Sequence, residues 1–142
     1  MKTEKLRTIL LDDERFSLET LQWLLEEYCP FVKIVGTFSN PDEAMRVLHQ
    51  TPPDLLFVDI AMPGINGLDL VYQLFPLTYP VIFVTAHNGA IVKALKQADI
   101  LFLLKPVDDK ELCEVINQAV QMHKLLSPNQ INSIRLAFQN GR

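Results

Sequence analysis

Five short runs rich in Val, Ile, Leu and Phe, set apart by stretches of helical periodicity, constrain this 142-residue chain more than any other feature. They lie at residues 8–11, 32–35, 55–58, 81–84 and 101–104. Unbroken apolarity over so few residues fits strands buried on both faces, as in a parallel sheet. Between them, Leu21, Leu24, Leu25 and Tyr28 follow the i, i+3, i+4, i+7 spacing of an amphipathic helix, and Leu112, Val115, Ile116, Ala119 and Val120 do so near the end. Asn40-Pro41-Asp42-Glu43 offers an N-cap, a proline at the first helical position and acids behind it. Asp108-Asp109-Lys110-Glu111 repeats the cap-and-acid pattern. Asn66 caps a helix expected to reach Leu74, with Pro76 beyond it, and a further helix is expected over 88–97 with Ile91, Ala94 and Leu95 facing inward.

Strands alternating with helices predict (βα)5, an α/β doubly wound five-stranded parallel sheet with helices on both faces. Residues 1–125 form the expected domain. Residues 126–142 read as a linker or tail: Ser127-Pro128-Asn129 looks like a break, and Ile131, Ile134 and Phe138 have the spacing of a short helix. So short a tail suggests a longer protein with a further domain. The net charge of −4 argues against this segment gripping a nucleic-acid backbone. Neither Cys29 nor Cys113 belongs to a CxxC pair, and His49, His87 and His123 are scattered, so a zinc site is not expected and free thiols are. The apolar runs fall well below the ~20 residues of a membrane helix, and no signal peptide is visible, which places the expected protein in the cytoplasm.

In open α/β sheets the working crevice lies beyond the carboxyl ends of the strands, where strand order reverses. The first run is followed by Asp12-Asp13-Glu14, the third by Asp59, the fourth by Thr85 and the fifth by Lys105-Pro106. The second is followed by Gly36-Thr37, with no charge. In the flavodoxin-like order 2-1-3-4-5 the second strand lies at the edge, and the four chemically loaded ends converge. Clustered carboxylates repel unless a cation joins them. Hard oxygen ligands suit Mg²⁺, and the absence of soft ligands disfavours zinc or copper. A carboxylate can itself be a nucleophile and form an aspartyl phosphate.

The segments Leu10-Leu11-Asp12-Asp13-Glu14, Val58-Asp59-Ile60-Ala61-Met62-Pro63-Gly64-Ile65-Asn66-Gly67, Phe83-Val84-Thr85-Ala86 and Leu104-Lys105-Pro106 resemble the four signature blocks of response-regulator receiver domains, the CheY-like family. The resemblance covers about residues 6–124 and implies a phosphorelay switch of two-component signal transduction. It matches Asp59 to the phosphoacceptor, and Asp12, Asp13, Asp59 and the Ala61 carbonyl to the Mg²⁺ ligands. Thr85 and Lys105 match the phosphoryl-binding hydroxyl and ammonium, Phe102 matches the switch aromatic coupled to Thr85, and the bond before Pro106 is usually cis. Residues 81–87 and 103–108 look similar to receivers joined to LytTR-type DNA-binding domains, with Asp99 and Leu101 departing from that pattern. The implied partners are a sensor histidine kinase, a homodimer, and DNA through an output domain that regulates transcription. Lys93, Lys96 and Glu114 read either as dimer contacts or as an ordinary solvated face. His87 reads equally as a residue tuning hydrolysis and as an exposed loop residue.

Other classes fit less well. Aspartate phosphohydrolases resemble a pattern with a second Asp two residues beyond the nucleophile, where this chain has Ala61. A nucleotide or flavin fold wants glycines in the first βα turn, where this chain has three acids. A degenerate receiver used only for interaction is disfavoured by the complete set of site residues. The expected chemistry is confined to the chain's own Asp59, so an enzyme acting on an external substrate is not expected.

Overall fold

The computed structural model describes residues 5–86 and 89–140, with side chains described to residue 136. Its elements are β1 (Leu6–Leu11), α1 (Arg15–Tyr28), β2 (Val32–Phe38), α2 (Pro41–Gln50), β3 (Leu55–Asp59), α3 (Gly67–Tyr72), β4 (Val81–Thr85), α4 (Ala90–Gln97), β5 (Phe102–Leu104), α5 (Asp109–Gln121) and α6 (Pro128–Asn140). The five strands form one parallel sheet in the order β2-β1-β3-β4-β5. This is the doubly wound, flavodoxin-like arrangement that the alternation of apolar runs and helices predicts.

Because successive strand residues point to opposite faces, each central strand feeds two cores. Ile9, Leu11, Leu56, Val58, Val81 and Phe83 join Ala44 and Leu48 of α2, Leu68, Leu70 and Val71 of α3, and Leu95 of α4. Leu10, Leu55, Phe57, Ile82 and Val84 join Leu18, Leu21, Leu24 and Leu25 of α1 and Leu112, Ile116 and Ala119 of α5. β3 and β4 are buried throughout. β2 alternates between half-buried and exposed positions, as an edge strand does, and shifts register against β1 beyond Thr8.

The helix starts follow their caps. The Asn40 side chain accepts from the N–H groups of Asp42 and Glu43, with Pro41 at the first helical position. Asp108 accepts from Lys110 and Glu111, and Asn66 from Asp69. α3 is shorter than expected, giving way after Tyr72 to a turn in which the Leu74 N–H bonds the Val71 carbonyl. α4 starts at Ala90; the expected start at 88 lies outside the described residues. Tyr28, expected on the buried face of α1, is instead exposed and packs edge-to-face on Trp23, because the helix ends there and the chain turns into β2.

The largest departure comes after Leu126, where the expected linker or tail meets α6. Ser127 and Gln130 cap each other: the Gln130 N–H bonds Ser127 Oγ, and the Ser127 N–H bonds Gln130 Oε1. Pro128 takes the first helical position, where a missing N–H costs nothing. Ile131 and Ile134 are buried in the core beneath α3 and α4. Arg135 pairs with Asp69 at 2.6 Å and lies 4.1 Å from the Tyr72 ring centroid, and Gln130 donates to the Ala98 carbonyl at 2.8 Å. The Phe138 side chain lies outside the described residues. Among the described residues no helix is long and apolar enough to cross a membrane.

Candidate functional site

The register of the sheet brings the expected residues together. Leu11 of β1 lies opposite Val58 of β3, so Asp12 and Asp59, each one residue further on, emerge side by side. Asp59 lies opposite Val84, and Thr85 opposite Leu104, so Thr85 and Lys105 close the same end of the sheet. Backbone bonds fix the loops: the Ile60 N–H reaches the Val84 carbonyl at 3.1 Å, and the Lys105 N–H reaches the Thr85 carbonyl at 2.9 Å.

One carboxylate oxygen from each of Asp12, Asp13 and Asp59 lies within 4.8 Å of the others. Asp12 and Asp59 are buried and Asp13 half-buried. Asp12 is oriented by its own turn, its Oδ1 accepting the Glu14 N–H at 2.9 Å. Lys105 Nζ stands 2.8 Å from Asp12 Oδ2 and 3.6 Å from Asp59 Oδ1. Burial first, then the charge of Asp12 and more weakly that of Asp13, raise the Asp59 carboxyl to about 7, although Lys105 pulls it down. Burial alone would lower the Lys105 ammonium, but its hydrogen bond to Asp12 and the charges of Asp59, Asp12 and Glu14 outweigh it, and its pKa is raised. The site therefore holds more negative charge than its lysine balances. Its ligand set is oxygen-only and hard, which fits Mg²⁺ far better than a soft metal.

Thr85 is fully buried at the end of β4, and Ala61 is exposed in the loop after Asp59. Phe102 is half-buried and packs against the core on the α2, α3 and α4 side. The peptide bond between Lys105 and Pro106 is cis. His87 lies outside the described residues. Lys93, Lys96 and Glu114 are exposed. Beside Lys105 opens a cavity of about 290 Å³, lined largely by apolar atoms of Phe16, Leu21, Val84, Pro106 and Val107.

Two contributions go beyond those read from the sequence. Gly67, at the start of α3, packs so tightly under the end of β3 that an added Cβ would collide with the Asp59 carbonyl oxygen and come within 3.1 Å of Ile60 Cα. Its N–H bonds the Ile60 carbonyl at 2.8 Å. Glu14 supplies both the amide that orients Asp12 and a charge that acts on Lys105. Asn66 marks a helix start there, but nothing in the spacing along the chain marks either contribution.

Residues 8–117 match the family model of the response regulator receiver domain. An uncharacterised response regulatory protein of Vibrio cholerae is 38% identical over 120 residues, covering 84% of this chain and 50% of that protein. The transcriptional regulatory protein BtsR of Escherichia coli is 37% identical over 108 residues, covering 75% of this chain and 45% of that protein. The chain thus spans about half the length of the curated relatives it matches. Among solved structures, the isolated receiver domain of RcsB from Salmonella enterica, determined with the phosphomimetic BeF3⁻, superposes with a TM-score of 0.72 at 25% identity. It covers 92% of this chain and 99% of that one. The receiver domain of the NarL regulator from Mycobacterium tuberculosis gives a TM-score of 0.71 at 25% identity, over 84% of this chain and 98% of that one. The solved neighbours include LuxR-family regulators, and the LytTR-type likeness finds no support among them. The family match and the convergence of Asp12, Asp13, Asp59 and Lys105 at the strand ends agree, and the chain belongs to the response regulator receiver domain family.

Proposed function

We propose that this chain is a phosphoryl-accepting switch in which Asp59 takes a phosphoryl group from the phosphohistidine of a sensor histidine kinase. The observation that carries this reading is the clustering of three carboxylates around Asp59, with Lys105 bridging Asp12 and Asp59. An Asp59 carboxylate oxygen attacks phosphorus, the phosphorus–nitrogen bond breaks, and the histidine leaves with the electron pair. Asp13, Asp12 and Asp59, with the Ala61 carbonyl, would hold Mg²⁺, which when bound neutralises charge on the phosphoryl oxygens. Thr85 and Lys105 receive the remaining phosphoryl oxygens, the ammonium exchanging part of its pairing with Asp12 for the new charge. Phe102 follows Thr85 as the switch aromatic.

The chain's chemistry is confined to its own aspartate, and it turns over no external substrate. Transcription is regulated through an output domain outside this sequence, as the name of the BtsR relative suggests, with dimerisation on phosphorylation as the intervening step. A LytTR-type output rests on residues 81–87 and 103–108 alone. The receiver unit extends through α6, since Ile131 and Ile134 complete its core. A cytoplasmic location follows from the kinase partnership.

The test is incubation with acetyl phosphate and Mg²⁺, read by phosphate-affinity electrophoresis. One retarded band is expected, absent from Asp59→Asn and from a sample with excess chelator. Retardation that survives Asp59→Asn, or none in a folded wild-type protein, overturns the reading.

A further inference from the structure

Cys29 and Cys113 are 84 positions apart, yet their sulfurs stand 3.3 Å from each other. Cys29 closes the C-terminus of α1 and is fully buried, whereas Cys113, in the second turn of α5, reaches solvent. Cys113 is held in place by a 3.6 Å hydrogen bond from its thiol to the Tyr28 carbonyl. Closing this pair into a bond of ~2.05 Å asks the sulfurs to approach by little more than an ångström, within reach of side-chain rotation. From this juxtaposition we infer that Cys29 and Cys113 form a reversible intramolecular disulfide that cross-links α1 to α5 when the protein meets a peroxide.

Exposure assigns the roles. Cys113, as thiolate, attacks one oxygen of the peroxide. The O–O bond breaks, and the products are Cys113 sulfenic acid and hydroxide, which is protonated to water. The Cys29 thiol then gives up its proton and its sulfur attacks the sulfenic sulfur, forming the S–S bond and expelling the hydroxyl as water. Two thiols and one hydrogen peroxide thus yield one disulfide and two waters. Burial, and after it the hydrogen bond and charge of Cys113, raise the Cys29 thiol to about 12. Cys29 is therefore not the first attacker.

The cross-link is distinct from the phosphoryl site. Asp12 precedes the first residue of α1 and Cys29 follows the last, so a helix of about 20 Å separates them. Phosphorylation of Asp59 is expected to proceed in the oxidised protein.

The test is treatment of the reduced full chain with hydrogen peroxide, unfolding in acid, alkylation with N-ethylmaleimide and intact mass measurement. The expected product weighs two hydrogens less and carries neither maleimide adduct, and dithiothreitol restores both. Cys113→Ser, at the more exposed position, is expected to lose no hydrogens and to keep its single adduct. Cys29→Ser is expected to trap a dimedone adduct on Cys113. The inference is overturned if wild-type protein gains oxygen on Cys113 while Cys29 remains alkylatable. Cross-linking only between two chains, or no reaction of either thiol, overturns it equally.

Discussion

Lys105 sits closer to Asp12 than to Asp59, at 2.8 Å against 3.6 Å, so the ammonium is held mainly by Asp12 and not by the proposed acceptor. Asp12 thus keeps Lys105 poised over the site while leaving Asp59 only partly neutralised. That division of charge governs how the protein responds to pH, to cations and to substitution.

Replacing Lys105 with Met leaves Asp12 and Asp59 facing each other without a cation. In chelator, the variant is expected to lose about 2 kcal/mol of stability in urea unfolding, less than a fully buried pair because Lys105 retains some exposure. Labelling by acetyl phosphate is expected to slow roughly a hundredfold, as when one charge-stabilising donor is removed.

Stability without divalent cations should depend on pH through Asp59. Its folded pKa of about 7 lies above the unfolded value of 3.8, so in that window the folded chain holds a proton that the unfolded chain has released. Its contribution is fully present below about pH 4, declines as pH rises and is gone above about pH 7. Asp59→Asn removes this dependence and is expected to be the more stable protein at about pH 8, by a margin on the order of a few kcal/mol that closes towards about pH 4. Thermal unfolding in chelator across that range checks it. A wild-type curve that rises with pH through this window would refute it.

Gly67 and Gly64 separate close packing from backbone conformation. An alanine at Gly67 collides with the backbone of Asp59 and Ile60, whereas one at Gly64 meets nothing within 4 Å and bears only a φ of +85°. Gly67→Ala is expected to cost about 2–3 kcal/mol, in the range of overpacked cores, and to slow acetyl phosphate labelling. Gly64→Ala is expected to cost about 1 kcal/mol with labelling unchanged. Urea unfolding paired with labelling rates distinguishes them.

Helix α6 should behave as part of the receiver core. Ile131 is fully buried, so Ile131→Ala is expected to cost about 2–4 kcal/mol. Arg135→Ala breaks a partly exposed pair with Asp69 and is expected to cost about 1 kcal/mol or less. Urea unfolding of both variants against wild type checks this; a negligible loss for Ile131→Ala would return residues 126–142 to the role of a tail.

The sheet and the acidic site are legible in the sequence because each rests on local signals: apolar runs too short for anything but buried strands, and charged residues placed just past their ends. The cap residues Asn40, Asn66 and Asp108 are legible for the same reason. α6 is harder, although its signal is present. Ser127-Pro128-Asn129-Gln130 contains a reciprocal cap and a first-turn proline, but the same residues also spell a break, and only the core surface left open by α3 and α4 decides between them. The Cys29–Cys113 contact and the fit of Gly67 beneath Asp59 depend on tertiary approach, and no spacing along the chain encodes either.

The most direct test of Asp59 as the acceptor is chemical localisation of the phosphoryl group. Protein labelled with acetyl phosphate and Mg²⁺ is reduced with borohydride, which converts an aspartyl phosphate to homoserine, then digested and sequenced by mass spectrometry. Homoserine at position 59, with Asp12 and Asp13 unmodified, is the expected result. Homoserine at 12 or 13, or a phosphoryl group retained elsewhere with Asp59 intact, would contradict the assignment.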